Sequence, residues 1–80
     1  MAKEKARLTK GELSNKIGLR IKELRSNLGI SQAELARRTN KDPQHIELIE
    51  NGKVSPNVYT LYVVATGLDV RLSDIFGTLQ

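Results

Sequence analysis

Few residues of this 80-residue chain are suited to catalysis. It has one histidine, His45, and no cysteine, and no grouping of its Asp, Glu and His residues has the spacing of a metal site. Covalent catalysis needs a nucleophile paired with a base, and a metal site needs three or four converging ligands. We therefore expect no enzymatic activity, no metal and no cofactor.

The side chains between positions 42 and 53 are better suited to recognition by hydrogen bonding. At about 100° per residue, a helix through this segment has two different faces. The outward face is polar apart from one leucine, and its members are Gln44, Glu47, Leu48 and Asn51. The inward face consists of Ile46, Ile49 and Glu50. This pattern predicts a helix that packs through one face and presents the other to a partner.

The net charge suits a polyanionic partner but is unevenly distributed. Thirteen Lys and Arg side chains against nine Asp and Glu give a net charge of +4. Residues 1–25 carry +5, and residues 26–80 carry −1. Because the segment suited to recognition is not basic, binding of nucleic acid must depend on particular side chains rather than on bulk charge.

Length and hydropathy restrict the class of protein. Eighty residues are about half of an average domain, so we expect one domain with a small core. No run approaches the ~18 apolar residues of a membrane span. The first residues, MAKEKARLTKGEL, contain no apolar stretch like that of a signal peptide. We expect a cytoplasmic protein that makes no membrane contact.

Helical periodicity runs through the chain, and no segment alternates as a strand does. The first predicted helix begins after Thr9, which is spaced to form a capping box with Glu12, or later, at Ser14. Gly29 ends this helix. Its apolar stripe, which we expect to be buried, consists of Leu13, Ile17, Ile21, Leu24 and Leu28.

Two short helices with a tight connection follow. The first covers residues 32–39 and opens on a second capping box, formed by Ser31 and Glu34. The next covers residues 43–51 and has Asp42 as its N-cap. Two short helices joined in this way predict a helix-turn-helix.

The last third of the chain predicts two further helices. Asn57 caps the fourth. Its expected inward residues are Val58, Leu61, Tyr62, Val64, Ala65 and Leu68. A short fifth helix covers residues 72–76, behind Arg71, which is a poor N-cap. Five helices without a strand predict an all-α domain.

Several segments occur together at the spacing of a known family. They are 21–25 (IKELR), 31–36 (SQAELA), 46–53 (IELIENGK), Pro56 and 61–65 (LYVVA). Over about residues 17–76 the chain resembles the Cro/cI-type helix-turn-helix family, also called lambda-repressor-like or XRE-type DNA-binding domains. The resemblance implies a compact five-helix domain that lays helix 43–51 in the major groove of double-stranded DNA.

The resemblance also suggests the division of the chain. We assign residues 13–77 to the helix-turn-helix domain and residues 78–80 to a C-terminal tail. Residues 1–12 form a basic extension that is partly flexible or extends the first helix. The basic side chains of this extension either lie along a DNA groove, as arms do in some DNA-binding domains, or form a solubilising tail. They are Lys3, Lys5, Arg7 and Lys10.

Five residues of the recognition helix are candidates for reading base edges, namely Pro43, Gln44, His45, Glu47 and Leu48. Gln44 can form two hydrogen bonds with adenine, and Leu48 can pack against a thymine methyl group or against another protein. Glu47 either accepts from the cytosine amino group or repels phosphates. His45 is either a hydrogen-bonding group or a plain surface residue. Pro43 replaces a polar reader of some relatives.

Five other residues are candidates for positioning the domain on the DNA backbone, namely Gln32, Arg38, Lys41, Asn51 and Lys53. The resemblance implies that Gln32 holds a phosphate at the start of its helix and braces Gln44. It also implies a structural ion pair between Arg25 and Glu50, buried beneath the recognition helix.

Four apolar residues are candidates for a contact with another protein, namely Tyr59, Val63, Phe76 and Leu79. Tyr59 and Val63 are four positions apart and would form an exposed apolar spot on the fourth helix. The simplest partner is a second copy, in a homodimer whose recognition helices meet half-sites ~34 Å apart. The alternative is that they are incidental surface residues.

Two hypotheses for the function follow from these residues. The first is a transcriptional regulator associated with the nucleoid, a small dimeric repressor that binds an inverted-repeat operator. The second is an antitoxin or protein-interaction module with the same fold, with or without operator binding. Several features favour this second hypothesis, whose partner would be a toxin or another protein. They are Pro43, Leu48, the acidic residues of helix 43–51, Tyr59 and Val63.

Overall fold

The fold is built from five α-helices. The structure is a computed structural model that describes residues 7–77 and 79, and this part of the chain contains no strand. The helices are α1 (Lys10–Leu28), α2 (Gln32–Thr39), α3 (Pro43–Glu50), α4 (Val58–Gly67) and α5 (Leu72–Phe76). The predicted all-α fold with five helices is confirmed.

The first helix begins directly after Thr9, as the capping box predicted, and the end of the extension continues into it. Helix α1 begins at Lys10, so residues 10–12, which we assigned to the extension, form its first turn. The alternative start at Ser14 is wrong. Lys3 and Lys5 of the extension, and residues 78 and 80 of the tail, lie outside the described residues.

Side-chain caps fix where the helices begin. The Thr9 hydroxyl accepts from the Glu12 amide at 3.1 Å, and the Glu12 carboxylate accepts from the Thr9 amide at 2.9 Å. The hydrogen bond from the Thr9 amide, followed by one with the Thr9 side chain, holds the pKa of Glu12 below its ordinary value, because these bonds to the carboxylate favour its ionised form. Asp42 and Asn57 cap α3 and α4 as predicted, each accepting from a first-turn amide at 2.8 Å.

The second predicted capping box is only half formed. Ser31 Oγ accepts from the Glu34 amide at 3.0 Å, as a cap should. The Glu34 carboxylate is instead bound by Arg37 and Arg38, one turn along the helix. Hydrogen bonds from these two guanidinium groups, first that of Arg37, lower the pKa of Glu34 to about 2. A charge-assisted hydrogen bond from a guanidinium group is stronger than a hydrogen bond from a neutral amide. The Glu34 carboxylate therefore pairs with the two arginines rather than with the Ser31 amide.

All five helices contribute to the core. Its most completely buried side chains are Ile21, Leu35, Ile46, Ile49, Val64, Leu68 and Ile75. Leu13 and Leu28, which we expected to be buried, are exposed. They lie in the first and last turns of a helix about 28 Å long, which packs on α3 and α5, both about 12 Å or less. The ends of α1 therefore extend past their partners.

Helix α4 is buried along a narrower stripe than we predicted. Leu61, Val64 and Ala65 are buried, whereas Val58 and Tyr62 are exposed. Val58 opens the helix before the buried stripe begins, and Tyr62 is rotated about 100° from Leu61. The predicted inward positions of Val58 and Tyr62 are therefore wrong.

Two glycines bring α1 close to α3. A Cβ atom on Gly18 would lie 2.5 Å from the carbonyl oxygen of Glu50, so the two backbones are in contact there. Gly52, just after α3, has φ +70°, and a Cβ atom on it would lie 2.8 Å from Cγ of Asn15. Glycine is suited to both positions because it has no Cβ and adopts positive φ without strain.

The turn between α2 and α3 is closed by a left-handed residue. Asn40 has φ 54° and ψ 42°, a conformation that asparagine tolerates better than most residues. The Lys41 amide donates to the carbonyl of Ala36 at 2.8 Å, and the Asn40 amide donates to that of Arg37 at 3.3 Å. This pair of bonds is a Schellman motif, and it ends α2 two residues before the Asp42 cap of α3.

Candidate nucleic-acid interface

Helix α3 has one face in the core and the other at the surface. Ile46 and Ile49 are buried, and Glu50 is only 2% exposed. The residues of the opposite side are at the surface, with Leu48 half-buried and the others exposed. The exposed ones are Gln44, Glu47 and Asn51, and Pro43 in the first turn and His45 at the edge of this face are exposed as well. The structure thus brings all five candidate base-reading residues to one accessible helix.

The inward Glu50 is held by Arg25 of α1. Arg25 donates from Nε to Oε2 at 2.6 Å and from Nη2 to Oε1 at 3.0 Å. The Glu50 side chain is completely buried, and the Arg25 side chain is 13% exposed. These hydrogen bonds raise the pKa of Arg25 further above its already high value. Arg25 also donates to the carbonyl of Ile30 at 2.9 Å, so it joins three parts of the chain.

Gln32 contacts Glu50 rather than Gln44. Its Nε2 donates to Glu50 Oε1 at 3.0 Å. No hydrogen bond joins Gln32 to the exposed Gln44 in this structure, so the bracing of Gln44 in a DNA complex stays a prediction. A buried carboxylate has lone pairs to spare after pairing with an arginine, and the Gln32 amide satisfies one of them.

A groove with two lysines separates the start of α1 from the loop after α3. It is lined by Lys10, Gly11, Ser14, Gly52, Lys53, Val54 and Ser55. We had assigned Lys10 to the N-terminal extension and did not expect it beside Lys53. The Thr9 cap signalled that Lys10 is helical, but only the close approach of Asn15 and Gly52 brings the two lysines to one groove.

The other backbone-positioning candidates have different surroundings. Arg38 donates from Nε to Glu34 at 3.0 Å and from Nη1 to the carbonyl of Gly67 at 3.2 Å, so it joins α2 to α4. Lys41 is half-buried in the turn, and Asn51 is exposed at the end of α3. Asn51 and Lys53 therefore lie just after the end of α3, whereas the Arg38 guanidinium is occupied by contacts within the protein.

An open depression adjoins the exposed face of α3. It is lined by Asp42, Gln44, His45, Leu48 and Val54. The chain turns back after the helix, with the Gly52 amide donating to Ile49 at 3.1 Å and the Lys53 amide donating to Leu48 at 2.9 Å. This Schellman motif brings Val54 to the side of Leu48, so two apolar side chains from different segments line one depression.

A group of exposed apolar side chains lies on α4. Val58, Tyr59 and Tyr62, which we call the tyrosine patch, are 66%, 72% and 57% exposed. The ring centroids of the two tyrosines are 6.4 Å apart. Val63 is half-buried. Phe76 and Leu79 pack partly against the core, so less of their surface is available to a partner.

The described residues contain neither a metal-binding cluster nor a membrane-spanning helix. In residues 7–77 and 79, no group of three or more His, Asp or Glu side chains is arranged to hold a metal ion. None of the five helices in the same part of the chain is long and apolar enough to cross a membrane.

Two short helices, a three-residue turn and an exposed polar face on the second helix together define a helix-turn-helix domain. A comparison with protein families agrees, since the helix-turn-helix model matches residues 21–75. The chain belongs to this helix-turn-helix family, which is of the XRE, lambda-repressor-like type. The predicted family is therefore confirmed.

The chain is similar in sequence to regulators from an archaeon and from a phage. An uncharacterized HTH-type transcriptional regulator from Archaeoglobus fulgidus is 33% identical over 57 residues, which cover 71% of this chain and 81% of the relative. The immunity repressor protein of Bacillus phage phi105 is 33% identical over 61 residues, which cover 76% of this chain and 42% of the repressor.

Solved structures give the same result for the fold. The restriction-modification controller protein C.AhdI from Aeromonas hydrophila superimposes with a TM-score of 0.77 at 30% identity, covering 79% of this chain and 96% of the controller. An HTH_3 family transcriptional regulator from Vibrio cholerae gives a TM-score of 0.82 at 30% identity, covering 86% of this chain and 39% of the regulator. The chain is thus a member of a family of transcriptional regulators.

Proposed function

We propose that the protein is a sequence-specific repressor that inserts α3 into the major groove of an inverted-repeat operator as a homodimer. The observation that carries this proposal is the two-sided environment of α3. Its inward Glu50 is fixed by Arg25 and Gln32, while Gln44 and its neighbours are at the surface. A helix 10–12 Å across fits the ~12 Å width of the major groove.

The charges of α3 suggest that its outward face contacts the bases and that residues beside the helix contact the phosphates. The helix contains no Lys or Arg, and Glu47 and the Asp42 cap are acidic. Because no cation lies on this face, the main base contact is assigned to the side-chain amide of Gln44, hydrogen-bonded to adenine N6 and N7. The phosphates are held beside the helix, by Lys10 and Lys53 in their groove and by Asn51. These contacts position the domain without reading sequence.

The tyrosine patch is the proposed homodimer contact. Tyr59 and Tyr62 are large, exposed and adjacent, as the centre of a protein interface requires. A two-fold axis through this patch would present two copies of α3 to half-sites one helical turn apart, ~34 Å. Similarity to the phi105 immunity repressor and to the controller C.AhdI supports the assignment as a small repressor. Binding to chromosomal DNA would associate the protein with the nucleoid.

The test is selection of bound duplexes from a random DNA pool at near-physiological salt, with Gln44→Ala as a parallel sample. We expect the native protein to enrich an inverted repeat and the variant to enrich a degenerate one. No enrichment, with weak salt-sensitive retention of all duplexes, would contradict the proposal, because it would leave only the electrostatic component of binding.

The second candidate function is an antitoxin or protein-interaction module. The acidic Glu47 and Asp42 of α3 and its cap, together with the tyrosine patch, favour it, since neither feature attracts a polyanion. This function predicts a stable complex with the product of an adjacent small gene when the two are co-expressed. Enrichment of an operator without such a complex would count against it.

A further inference from the structure

We infer that the depression beside α3 is a subsite for the 5-methyl group of a pyrimidine in the major groove. The inference rests on the proposed binding of DNA by α3 and specifies what one part of its surface reads. It predicts that one position of each half-site is recognised through an apolar contact rather than through a hydrogen bond.

The subsite has apolar walls from two segments of the chain. Leu48 lies one turn after Gln44 on the same face of α3, and it is half-buried although that face is at the surface. Val54 comes from the following loop and packs partly against the core. The hydrogen bond from the Lys53 amide to the Leu48 carbonyl, at 2.9 Å, fixes the loop at this point. The two side chains are therefore held beside each other before any ligand binds.

The chemistry of the lining favours a methyl group over a phosphate. No Lys or Arg lines the depression, and its polar lining residues are Asp42, which is a carboxylate, Gln44 and His45. The Asp42 carboxylate accepts from the backbone amide of Gln44 at 2.8 Å, which holds the charge at the start of α3, where it disfavours an anion. The 5-methyl group is the apolar group that a base pair presents in the major groove.

The neighbouring Gln44 makes the position suitable for this contact. Gln44 and Leu48 are four residues apart, so their side chains lie side by side along the helix. The Gln44 amide at the rim of the depression can hydrogen-bond one base while Leu48 and Val54 contact the methyl group of the next. Thymine and 5-methylcytosine both carry this group, and the experiment separates them.

The test uses the duplex enriched from the random pool, with each dT of one half-site replaced in turn by dU. This change removes only the 5-methyl group. We expect one replacement to raise the Kd about fourfold, which corresponds to ~0.8 kcal/mol for one buried methyl group. In Leu48→Ala the same replacement should have no effect. Leu19→Ala is the matched control, because Leu19 is 63% exposed on α1 and does not line the depression.

The outcomes distinguish this inference from the proposed function. If the unmodified duplex binds specifically and no dU replacement weakens it, the methyl subsite is refuted and DNA reading by α3 stands. An equal dU effect in the native protein and in Leu48→Ala also refutes the subsite. If the protein binds no duplex specifically, both the methyl subsite and DNA reading by α3 are refuted. At the sensitive position, replacement by dC and by 5-methyl-dC then shows whether thymine alone or any 5-methylpyrimidine is read.

Discussion

Arg25 and Glu50 form a two-bond ion pair between α1 and the last residue of α3, with nitrogen to oxygen distances of 2.6 and 3.0 Å. The carboxylate is completely buried and accepts a third hydrogen bond from Gln32. The orientation of α3 relative to α1 and α2 is therefore determined by directional hydrogen bonds as well as by apolar packing.

Removal of one partner of this pair should be strongly destabilising. Arg25→Met leaves the Glu50 charge buried without its cation, and we expect the free energy of unfolding to fall by ~3–5 kcal/mol. Urea denaturation followed by circular dichroism measures this change. The double variant Arg25→Met/Glu50→Leu is the control, and it should recover most of the loss because no charge remains buried. A double variant as unstable as the single one would show that shape, not charge, explains the effect.

Two glycines of the same helix should respond in opposite ways to alanine. Gly18→Ala forces a Cβ into the backbone of α3, and we expect it to cost ~1–3 kcal/mol, as overpacking does. Gly11→Ala meets no atom within 4 Å and should stabilise the helix by up to about 1 kcal/mol. Thermal and urea unfolding of both variants test the pair. Similar stabilities for the two variants would argue against close contact between α1 and α3.

Two single variants should distinguish base reading from phosphate binding. Gln44→Ala should reduce the preference for the selected operator over random DNA by ~1–3 kcal/mol, because its hydrogen bonds depend on the base. Lys53→Ala should weaken binding to both DNAs alike and lower the log–log salt slope by ~0.9, the value for one phosphate contact. Fluorescence anisotropy at several salt concentrations measures both quantities. Equal losses on operator and random DNA from both variants would contradict the assigned roles.

The Glu34 carboxylate should make a pH-dependent contribution to stability. Its pKa falls from an ordinary 4.5 to about 2 through the hydrogen bonds of Arg37 and Arg38. The folded state thus binds this proton less readily than the unfolded state, so the contribution is present above about pH 4.5 and is lost as the pH falls towards 2. Glu34→Gln should lower the Tm at pH 6 but not near pH 2. A difference in Tm that is the same at both pH values would argue against this ionisation.

The tyrosine patch should control the oligomeric state. Sedimentation equilibrium at micromolar concentration should give the native protein twice the 8.9 kDa mass of one chain. Tyr59→Glu places a charge in the patch and should give the monomer, whereas Leu19→Glu, an equally polar change on α1, should leave the dimer intact. A native protein of 8.9 kDa would contradict the dimer, and dissociation by both variants would place the contact elsewhere.

The sequence predicted local features of the fold well, because their causes are local. The caps formed by Thr9, Asp42 and Asn57 depend on residues two or three positions away, and each is present. The inward set of α3 followed from its helical period alone. Glu34 was predicted less well, since its pattern suits both a capping box and an arginine pair, and only the energies of the two arrangements decide between them.

Features that depend on distant parts of the chain were not predictable in the same way. The helical periodicity of α4 does not show how much of its surface the neighbouring helices cover. We therefore expected Tyr62 to be buried, whereas it is exposed. The partner of Gln32 depended on the position of Glu50, 18 residues away. The groove of Lys10 and Lys53 likewise requires the crossing of α1 and α3, to which no short motif corresponds.

The length of α3 limits how much information one copy of the protein can extract from DNA. Eight helical residues span about 12 Å, which corresponds to about four base pairs at 3.4 Å each. A given sequence of four base pairs recurs by chance on the order of once in a few hundred base pairs, which is far too often to specify one promoter in a genome. If two copies each recognise such a sequence at a fixed spacing, the average distance between chance occurrences rises to on the order of tens of thousands of base pairs. In the proposed homodimer, selectivity would thus depend as strongly on the geometry that pairs the two domains as on any base contact within one.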